Sequence, residues 1–435
     1  MGNDSYEEHL RTVLSGIREA IRSLSYDTLI IHSGTPSSYH ADDQDVPFRA
    51  LPHFIRLAPV RTPHHLIVIK NDDSTPTCIE VKPEDYWLSY EESDFWKPFY
   101  LHETVATPQN AWERVRTTLG RAVFIGDAAS VSEALTSLGT VETNPPELLK
   151  KLDELRSVKT GYEISCIREA NRIAATGHTA ARDAFLSGAS EFEIHIAFLQ
   201  AVECTEAELP YPTITALNEK SATLHYQHKR LDVHNASTFL MDAGYAHRGY
   251  ASDITRTYAK NSAHEIFRQL IENVRALQKK LVSSVKPGVQ FIELHHEAHL
   301  GIASILKDAG ILLMEPEEAI QEGVTRAFFP HGLGHMLGLQ VHDVGGTREE
   351  PFQHALKVLY PKIRTNRVLV DGNVTTIEPG LYFIPLLLAP LRNSHQREIA
   401  WKVVDELIPM GGIRFEDDVL VTQSGNVNLT EPYLP

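Results

Sequence analysis

Hydrophobic and polar positions form two different patterns, each typical of one part of the chain. Near the N-terminus, apolar residues recur at helical spacing and predict an amphipathic helix over residues 5–25. Short β-type runs follow, separated by polar or proline-containing turns and by helical segments; they are TLIIH, HLIVIK, CIEVK and AVFIGD. This alternation predicts an α/β domain over residues 1–158.

From about residue 150 the pattern changes to long helices followed by strands that carry paired acids. Ser190 and Glu193 have the spacing of a capping box at the start of one such helix. The predicted helices cover roughly residues 160–187, 190–202, 263–285 and 290–309. The predicted strands lie in STFLMDAG, GYASDITRTY, NVTTIEPGLYF and GGIRFEDDVLVT. Helix pairs followed by strands predict an α+β domain over residues 159–435.

Composition and charge matter here mainly through the classes of protein that they exclude. The formal net charge of −16 disfavours nucleic acid or an anionic membrane as a partner. The most apolar run, GLYFIPLLLAPL, is too short to span a bilayer, and the polar N-terminus does not resemble a signal peptide. The scattered cysteines Cys78, Cys166 and Cys204 argue against a disulfide scaffold. We therefore expect a soluble cytoplasmic protein.

One stretch, FPHGLGHMLGLQVHDVGG at residues 329–346, places His331, His335 and His342 among five glycines. Glycine loses more backbone entropy than other residues when it is fixed in a helix or strand. The stretch therefore predicts a loop built around a site, in which glycine allows close backbone approach. His335 is the candidate ligand, and His331 is expected to support the site.

Two aspartates flank the predicted hairpin turn GYAHRG. The numbers of Asp242 and Asp253 have an odd sum, as do those of Gly244 and Gly249, so an antiparallel pair centred on this turn directs both carboxylates to one face. Side-by-side carboxylates in a sheet interior repel each other unless a cation lies between them. The residues by themselves leave two interpretations open: a cation site, or solvated acids of a hairpin.

Two glutamates in apolar strands favour the cation site. Glu378 ends the strand VTTIE, and Glu416 lies in GGIRFEDD, where an isolated glutamate is costly to bury. With the two aspartates and His335, the set contains four carboxylates and one imidazole. Such a set suits two divalent, fairly hard ions, most naturally manganese or cobalt, with zinc or iron as alternatives. The absence of a thiolate from the set argues against a structural zinc site.

The ordered motifs MDAG…SDITRT, PHGLGH, TIEPGLYF and GGIRFEDD resemble the pita-bread metallopeptidase family, which includes methionine aminopeptidase, aminopeptidase P and prolidase. The resemblance covers residues 160–435. It implies a dinuclear metal centre held by Asp242, Asp253, His335, Glu378 and Glu416. The N-terminal α/β domain resembles the creatinase-type extension of the proline-specific members.

Further motifs resemble the bacterial Xaa-Pro dipeptidases, or prolidases, along essentially the whole chain. They are IHSG, DDQDVPF, PEDYW, PYPTITALNEKSATLHY and GLQVHDVGG. The resemblance implies hydrolysis of dipeptides that end in proline, with organophosphate-ester hydrolysis as a side activity of some members. It also implies a creatinase-like domain over residues 1–158 followed by a pita-bread domain over residues 159–435.

Catalytic roles follow from the chemistry and from this resemblance. Glu378 is the expected proton shuttle, because a ligand carboxylate beside the attacking water can take its proton. His225 and His342 are expected to stabilise the developing oxyanion or the substrate carboxylate. Arg414, two residues before Glu416, is placed to clamp the free C-terminus of a dipeptide.

Three substrate-binding residues are implied by the resemblance only. Tyr211 is expected to line the pocket, and Asp43 and Trp87 of the N-terminal domain are expected to close it. Asp43 is assigned to the other subunit of a homodimer, which would help to exclude long peptides.

Several alternatives stay open. Aminopeptidase P would share every metal ligand but act on longer peptides, and an organophosphate hydrolase would differ in its main substrate. A pita-bread fold without metals would serve as a binding module. The run HHEAH at residues 295–299 lacks the H-E-x-x-H spacing; His295 and His299 lie one helical turn apart, where packing residues are commoner than metal ligands.

Overall fold

The computed structural model describes five stretches of the chain, residues 3–86, 94–116, 119–346, 358–360 and 363–434. The chain divides into two compact units. The N-terminal unit comprises residues 1–156 and 160–163, and the C-terminal unit comprises residues 157–159 and 164–435. The single boundary predicted after residue 158 stays a prediction.

The N-terminal unit contains a six-stranded sheet of order β4-β3-β2-β1-β5-β6. β1 pairs in parallel with β5 and antiparallel with β2. The strands are β1 Thr28–His32, β2 Leu66–Lys70, β3 Thr77–Val81, β4 Leu101–Val105, β5 Ala122–Ile125 and β6 Glu142–Thr143. The helices are α1 Asn3–Ser23, α2 Pro52–Ile55, α3 Pro108–Val115, α4 Ala128–Leu138 and α5 Pro146–Ser157. The predicted α/β organisation of this unit is confirmed. The apolar face of α1 is buried.

The helices of the C-terminal unit begin and end close to their predicted positions. At the start of α7, Ser190 Oγ accepts from the backbone N–H of Glu193, and Glu193 Oε2 accepts from the backbone N–H of Ser190, so the predicted capping box is confirmed. The helices are α6 Gly161–Leu186, α7 Glu191–Val202, α8 Glu265–Ser284, α9 Phe291–Asp308, α10 Pro316–Gln321, α11 Thr325–Phe328, α12 Pro385–Ser394 and α13 Trp401–Leu407. No helix of the described stretches is long and apolar enough to cross a membrane.

The strands of this unit form small sheets of order β11-β8-β7, β12-β15-β16, β13-β14 and β10-β9. Their bounds are β7 Ile214–Leu217, β8 Thr238–Asp242, β9 Ala246–His247, β10 Tyr250–Ala251, β11 Thr255–Ala259, β12 Val374–Ile377, β13 Gly380–Tyr382, β14 Gly412–Arg414, β15 Asp417–Thr422 and β16 Gly425–Asn428. Each of the two long tail strands predicted from the sequence is instead broken into two. The breaks fall at Glu378-Pro379 and at Phe415-Glu416, because the chain passes from one sheet to another at each of these points.

Candidate metal centre

The two aspartates lie at neighbouring strand ends. Asp242 ends β8 and is paired in register with Thr255 of β11, and the next residue pair along is linked by the hydrogen bond from Ala243 N to Ile254 O. Register partners therefore have odd sums, as the hairpin analysis predicted, although Asp253 itself lies in the break before β11. The alternative of solvated hairpin acids fits poorly, because the Asp253 and Asp242 side chains are only 8% and 13% exposed.

The two glutamates reach the same place from the two strand breaks. Glu416 is joined to β11 by an isolated bridge to Thr255, whose carbonyl accepts the Glu416 N–H at 3.1 Å. Glu378 lies between β12 and β13, and its backbone N–H donates to Leu333 O at 2.8 Å. Because each strand ends where the chain passes from one sheet to another, Glu378 and Glu416 both lie outside the regular strands.

His335 approaches the centre from the glycine-rich loop. Its backbone N–H donates to Thr376 Oγ1 at 3.1 Å, and the Thr376 N–H donates to His335 O at 2.9 Å. A Cβ atom on Gly334 would lie 2.1 Å from Thr376 O, so only glycine permits this approach. His335 Nδ1 lies 3.1 Å from Met336 O, which makes Nδ1 the donor and leaves Nε2 facing the carboxylates.

These side chains fit a divalent cation. One ligand atom each of Asp253, His335 and Glu416 lies within 4.8 Å of the other two. Asp242 Oδ1 is buried and lacks a hydrogen-bond partner within the described part of the chain. Burial, followed by the charge of Asp253 and its neighbours, raises the pKa of Glu416 well above its usual range. Burial likewise raises the pKa of Glu378 to about 7. So many buried acids require compensating positive charge.

In the metal-free chain, part of that charge comes from His335. Its Nε2 lies 3.3 Å from Asp253 Oδ2 and 3.7 Å from Glu378 Oε1. Burial lowers the pKa of His335, but the hydrogen bond and charge of Asp253 and the charge of Glu378 outweigh it and raise the pKa to about 9. When the ring is protonated, Nε2 carries a hydrogen and has no lone pair with which to bind a cation.

Arg414 is buried and has partners on every side. Its Nη2 donates to Asp242 Oδ2 at 2.6 Å, its Nη1 to the Tyr382 hydroxyl at 2.8 Å, and its Nε to Thr255 Oγ1 at 3.1 Å. A guanidinium with these partners neutralises and orients Asp242. The expected role of Arg414 as a clamp on a substrate carboxylate stays a prediction.

Tyr211, His342 and His225, which were predicted to lie around the centre, differ in exposure and in the residues that they contact. The Tyr211 hydroxyl donates to Asp253 Oδ1 at 2.6 Å, so this side chain contacts a candidate ligand directly. The His342 ring is exposed and packs edge-on against His335, with 4.3 Å between ring centroids. His225 is also exposed, and its charge contributes to the lowered pKa of His342, after burial and the charge of His335.

The two residues expected to close the pocket belong to the N-terminal part of the chain. Asp43 is exposed in the N-terminal unit. Trp87 lies outside the described residues. Their roles stay predictions.

His331 is held behind the centre rather than in solvent. Its Nδ1 donates to Gly332 O at 2.8 Å, so its Nε2 accepts from the Tyr382 hydroxyl at 2.8 Å. Nδ1 also lies 3.6 Å from Glu378 Oε2. These contacts agree with the supporting position expected for it.

Thr255, which sequence analysis did not single out, and Asp418 contact the candidate ligands. Thr255 Oγ1 donates to Glu416 Oε2 at 2.7 Å while it accepts from Arg414. Asp418 Oδ2 accepts from the backbone N–H of Asp253 at 3.1 Å. The alternation of side chains along a strand could have indicated Thr255, two residues after Asp253. The contact of Asp418 depends on the tertiary structure.

Arg364 is a further residue that the sequence analysis missed. It is exposed, in contrast to Arg414. Burial and then the charges of His335 and Arg364 lower the pKa of His342 to about 4. Burial and then Arg414 lower the pKa of His331 to about 3, and Arg364 adds to this effect. The charge of Arg364 therefore influences both histidines.

A second group of ligand-type side chains, His32, His64 and Glu133, lies in the N-terminal unit, with one atom of each within 4.8 Å of the others. The backbone N–H of Gly34 donates to His32 Nδ1 at 2.9 Å. In the neutral ring Nε2 must then carry the hydrogen, so it has no lone pair for a cation. We assign His32 to packing instead, since its ring stacks on Trp112.

The histidines of HHEAH are packing residues on α9. His295 Nδ1 accepts from the backbone N–H of Leu333 at 3.1 Å, and His299 Nδ1 is hydrogen-bonded to Thr325 Oγ1 at 3.0 Å. Both rings are buried, 4.7 Å apart. Leu333 belongs to the glycine-rich loop, so His295 supports that loop from behind.

Buried neutral histidines predict acid sensitivity. Burial lowers the pKa of His295 to about 3, below the 6.5 of an unfolded chain, so the unfolded state takes up protons first as the pH falls. The contribution of His295 to the free energy of unfolding is therefore fully present above pH 6.5. It falls by ~1.4 kcal/mol per pH unit between pH 6.5 and about pH 3. Urea denaturation of His295→Gln should show a shallower decline. His228→Gln, an exposed control, should match the wild type; equal slopes for all three would contradict the assignment.

Comparisons with known proteins agree with this geometry. Residues 4–153 match the N-terminal domain of Xaa-Pro dipeptidase, and residues 165–423 match metallopeptidase family M24. The chain belongs to metallopeptidase family M24. The predicted resemblance to the pita-bread metallopeptidases is thereby confirmed.

Two relatives within this family carry the name Xaa-Pro dipeptidase. The protein from Shewanella pealeana is 40% identical over 432 residues, covering 98% of this chain and 97% of its own. The protein from Xanthomonas campestris pv. campestris is 40% identical over 439 residues, with the same coverage. This family member is therefore similar to Xaa-Pro dipeptidases along both units.

Solved structures of aminopeptidase P share the fold. Proline aminopeptidase P II from Yersinia pestis has a TM-score of 0.77 at 24% identity, covering 100% of this chain and 97% of its own. Zinc-substituted aminopeptidase P from Escherichia coli, in complex with product, has a TM-score of 0.74 at 23% identity, covering 100% and 96%. The predicted fold class, an α/β unit followed by an α+β unit, is confirmed.

Proposed function

We propose that this M24 family member is a metal-dependent Xaa-Pro dipeptidase that hydrolyses dipeptides ending in proline. One observation supports the proposal: one ligand atom each of Asp253, His335 and Glu416 lies within 4.8 Å of the other two in a buried cluster, and Glu378 Oε1 lies 3.7 Å from His335 Nε2. Similarity to Xaa-Pro dipeptidases over 98% of the chain supports the substrate class.

We assign the metal-binding role to Asp242, Asp253, His335, Glu378 and Glu416. When bound, a pair of divalent ions would supply an activated water at neutral pH and neutralise charge on the scissile carbonyl. We favour manganese, because oxygen ligands with one imidazole and no thiolate suit a fairly hard ion.

The protein's own groups would then handle protons and orientation. Glu378, at the edge of the cluster with a 16% exposed side chain, would accept the proton of the attacking water and pass it to the proline nitrogen. The lowered pKa of His342 keeps its ring neutral at pH 7, and the one N–H of the neutral ring would donate to the developing oxyanion. We place His225 beside it in the same role, and Tyr211 in the pocket wall.

We assign recognition of the substrate carboxylate to Arg364 instead of Arg414. The Arg414 guanidinium is committed to Asp242, Tyr382 and Thr255, whereas Arg364 is exposed and its charge influences His342 and His331.

Replacing Arg364 should weaken substrate binding. A hydrogen bond to a charged group contributes about 1.5–3 kcal/mol, so Arg364→Met should raise KM for Leu-Pro by ~10- to 100-fold. The effect should be small for Leu-prolinamide, which has no C-terminal carboxylate. The exposed arginine Arg392 provides a control, as Arg392→Met should leave KM unchanged. Equal losses on acid and amide would contradict the assignment.

Finer properties are also proposals. We propose a homodimer in which Asp43 of one subunit and Trp87 close the pocket, and a cytoplasmic location. Sedimentation of the purified chain and complementation by an Asp43→Ala subunit in a mixed dimer test the first of these.

The function is tested by assaying the manganese-loaded chain on Leu-Pro, Ala-Pro, Gly-Pro-Gly and a phosphotriester in parallel. We expect kcat/KM to be highest for the dipeptides. A preference for the tripeptide would favour aminopeptidase P, and a preference for the phosphotriester would favour an organophosphate hydrolase. If the chain binds no metal and hydrolyses none of them, it is a binding module.

A further inference from the structure

Lys159 and Asp343 form an ion pair that lies apart from the five candidate ligands. Lys159 Nζ lies 3.1 Å from Asp343 Oδ2, and the two side chains are 1% and 2% exposed. Removing two charges from water costs several kcal/mol per ion, so a buried pair is weak evidence for stability by itself. Its position suggests a different role.

The pair closes the loop that carries His342. Asp343 follows His342 directly, its N–H donates to Met336 O at 2.8 Å, and its Oδ1 accepts from Val344 N at 3.0 Å. A Cβ atom on Gly338 would lie 2.2 Å from Asp343 Oδ2 and 2.9 Å from Lys159 Cε. The carboxylate and the ammonium group are therefore packed directly against the backbone of this loop.

Lys159 supplies a fixed point for the loop. Its backbone N–H donates to Gly372 O at 2.8 Å, and the Gly372 N–H donates to Val421 O, in β15, at 3.0 Å. The cation is thus attached to the sheet that holds Glu378 at the end of β12. His342 is an exposed residue, and its ring packs edge-on against that of His335 with 4.3 Å between ring centroids.

We propose that the Lys159–Asp343 ion pair positions His342 for the reaction. Both are positioning residues, since neither is placed to touch the substrate. This inference rests on the proposed function, in which His342 stabilises the developing oxyanion. Groups that orient metal-ligating side chains typically contribute ~10- to 100-fold to metal affinity or activity, and we expect an effect of that size for the orientation of His342.

A double-mutant cycle with His342 tests the proposal. Lys159→Met should lower kcat for Leu-Pro by ~10- to 100-fold with little change in KM or manganese content. In a His342→Ala background the same substitution should lower kcat by less than about 2-fold, because the group being positioned is gone. A purely structural pair would give independent, multiplicative losses in both backgrounds, and that result would overturn the proposal.

Two further variants keep the cycle interpretable. Lys159→Met removes the cation that faces the buried Asp343 carboxylate, so the double variant Lys159→Met/Asp343→Leu, which removes both charges of the pair, is tested for the same kcat loss with an intact fold. Lys307→Met removes an exposed ion pair with Glu315 and should leave kcat unchanged. A wild-type kcat in the folded double variant would also overturn the proposal.

A readout that does not depend on activity separates this inference from the proposed function. The rate at which diethylpyrocarbonate labels His342, followed by mass spectrometry, should rise several-fold in the Lys159→Met/Asp343→Leu variant, because the ring leaves its contact with His335. An unchanged labelling rate would contradict the positioning role. A wild-type chain that hydrolyses no Xaa-Pro dipeptide would instead refute the proposed function, whatever the labelling rate.

Discussion

Glu416→Gln should abolish hydrolysis of Leu-Pro and reduce the amount of bound manganese. The amide keeps the size of the side chain and can still accept from Thr255, but it removes a negative charge from the centre of the cluster. Metal-ion catalysis supplies several kcal/mol, and 1.36 kcal/mol corresponds to a factor of ten, so we expect kcat/KM to fall by at least ~10³-fold.

The free energy of unfolding of metal-free Glu416→Gln should rise, although its activity and its metal content fall. Burial and neighbouring carboxylates hold the pKa of Glu416 well above its usual range, so the folded metal-free protein disfavours the ionised carboxylate, and a neutral amide avoids this cost. Metal analysis, kinetics and urea denaturation in EDTA check these outcomes. Glu317→Gln, on the exposed face of α10, is the control. Wild-type metal content and kcat/KM in Glu416→Gln would remove this residue from the centre.

Arg414→Met should destabilise the metal-free protein strongly. The substitution deprives Asp242 of its 2.6 Å ion pair and leaves a mostly buried carboxylate unpaired, which typically costs about 3–5 kcal/mol. Added manganese should recover part of this loss, because a bound cation neutralises the same carboxylate and stabilises the folded state.

The comparison between metal-free and metal-loaded protein is the decisive part of this experiment. Denaturation curves in EDTA and in excess manganese give the two differences in free energy of unfolding. Arg392→Met, which removes an exposed arginine paired with Asp405, should change both by little. If Arg414→Met destabilises both forms equally, its guanidinium contributes through packing and not through the charge of Asp242.

The separate elements could be predicted well because their signals are local. The helical spacing of α1, the capping box of α7 and the strand TLIIH each depend on residues within a few positions of one another. The two tail strands were predicted as continuous, because periodicity does not show where a strand leaves one sheet for another. The breaks beside Glu378 and Glu416 are where tertiary structure overrides the local pattern.

The types of side chain in the centre followed from sequence, since buried acids with one imidazole have few uses other than binding cations. The hydrogen-bond partners of Arg414 could not be predicted from the sequence in the same way. Its spacing from Glu416 is equally compatible with a guanidinium that faces substrate and with one that faces Asp242. The contact with Asp242 is a hydrogen bond between residues 172 positions apart, which only the tertiary structure shows.

The sequence by itself determined which chemistry the chain can perform: it carries hard ligands in a recognisable order, with glycines where the backbone must approach closely. Only the tertiary structure decided how charge is distributed among them, because buried electrostatic interactions depend on distances and solvent access that sequence spacing does not specify. It made Arg414 a partner of Asp242 and joined Lys159 to the loop of His342.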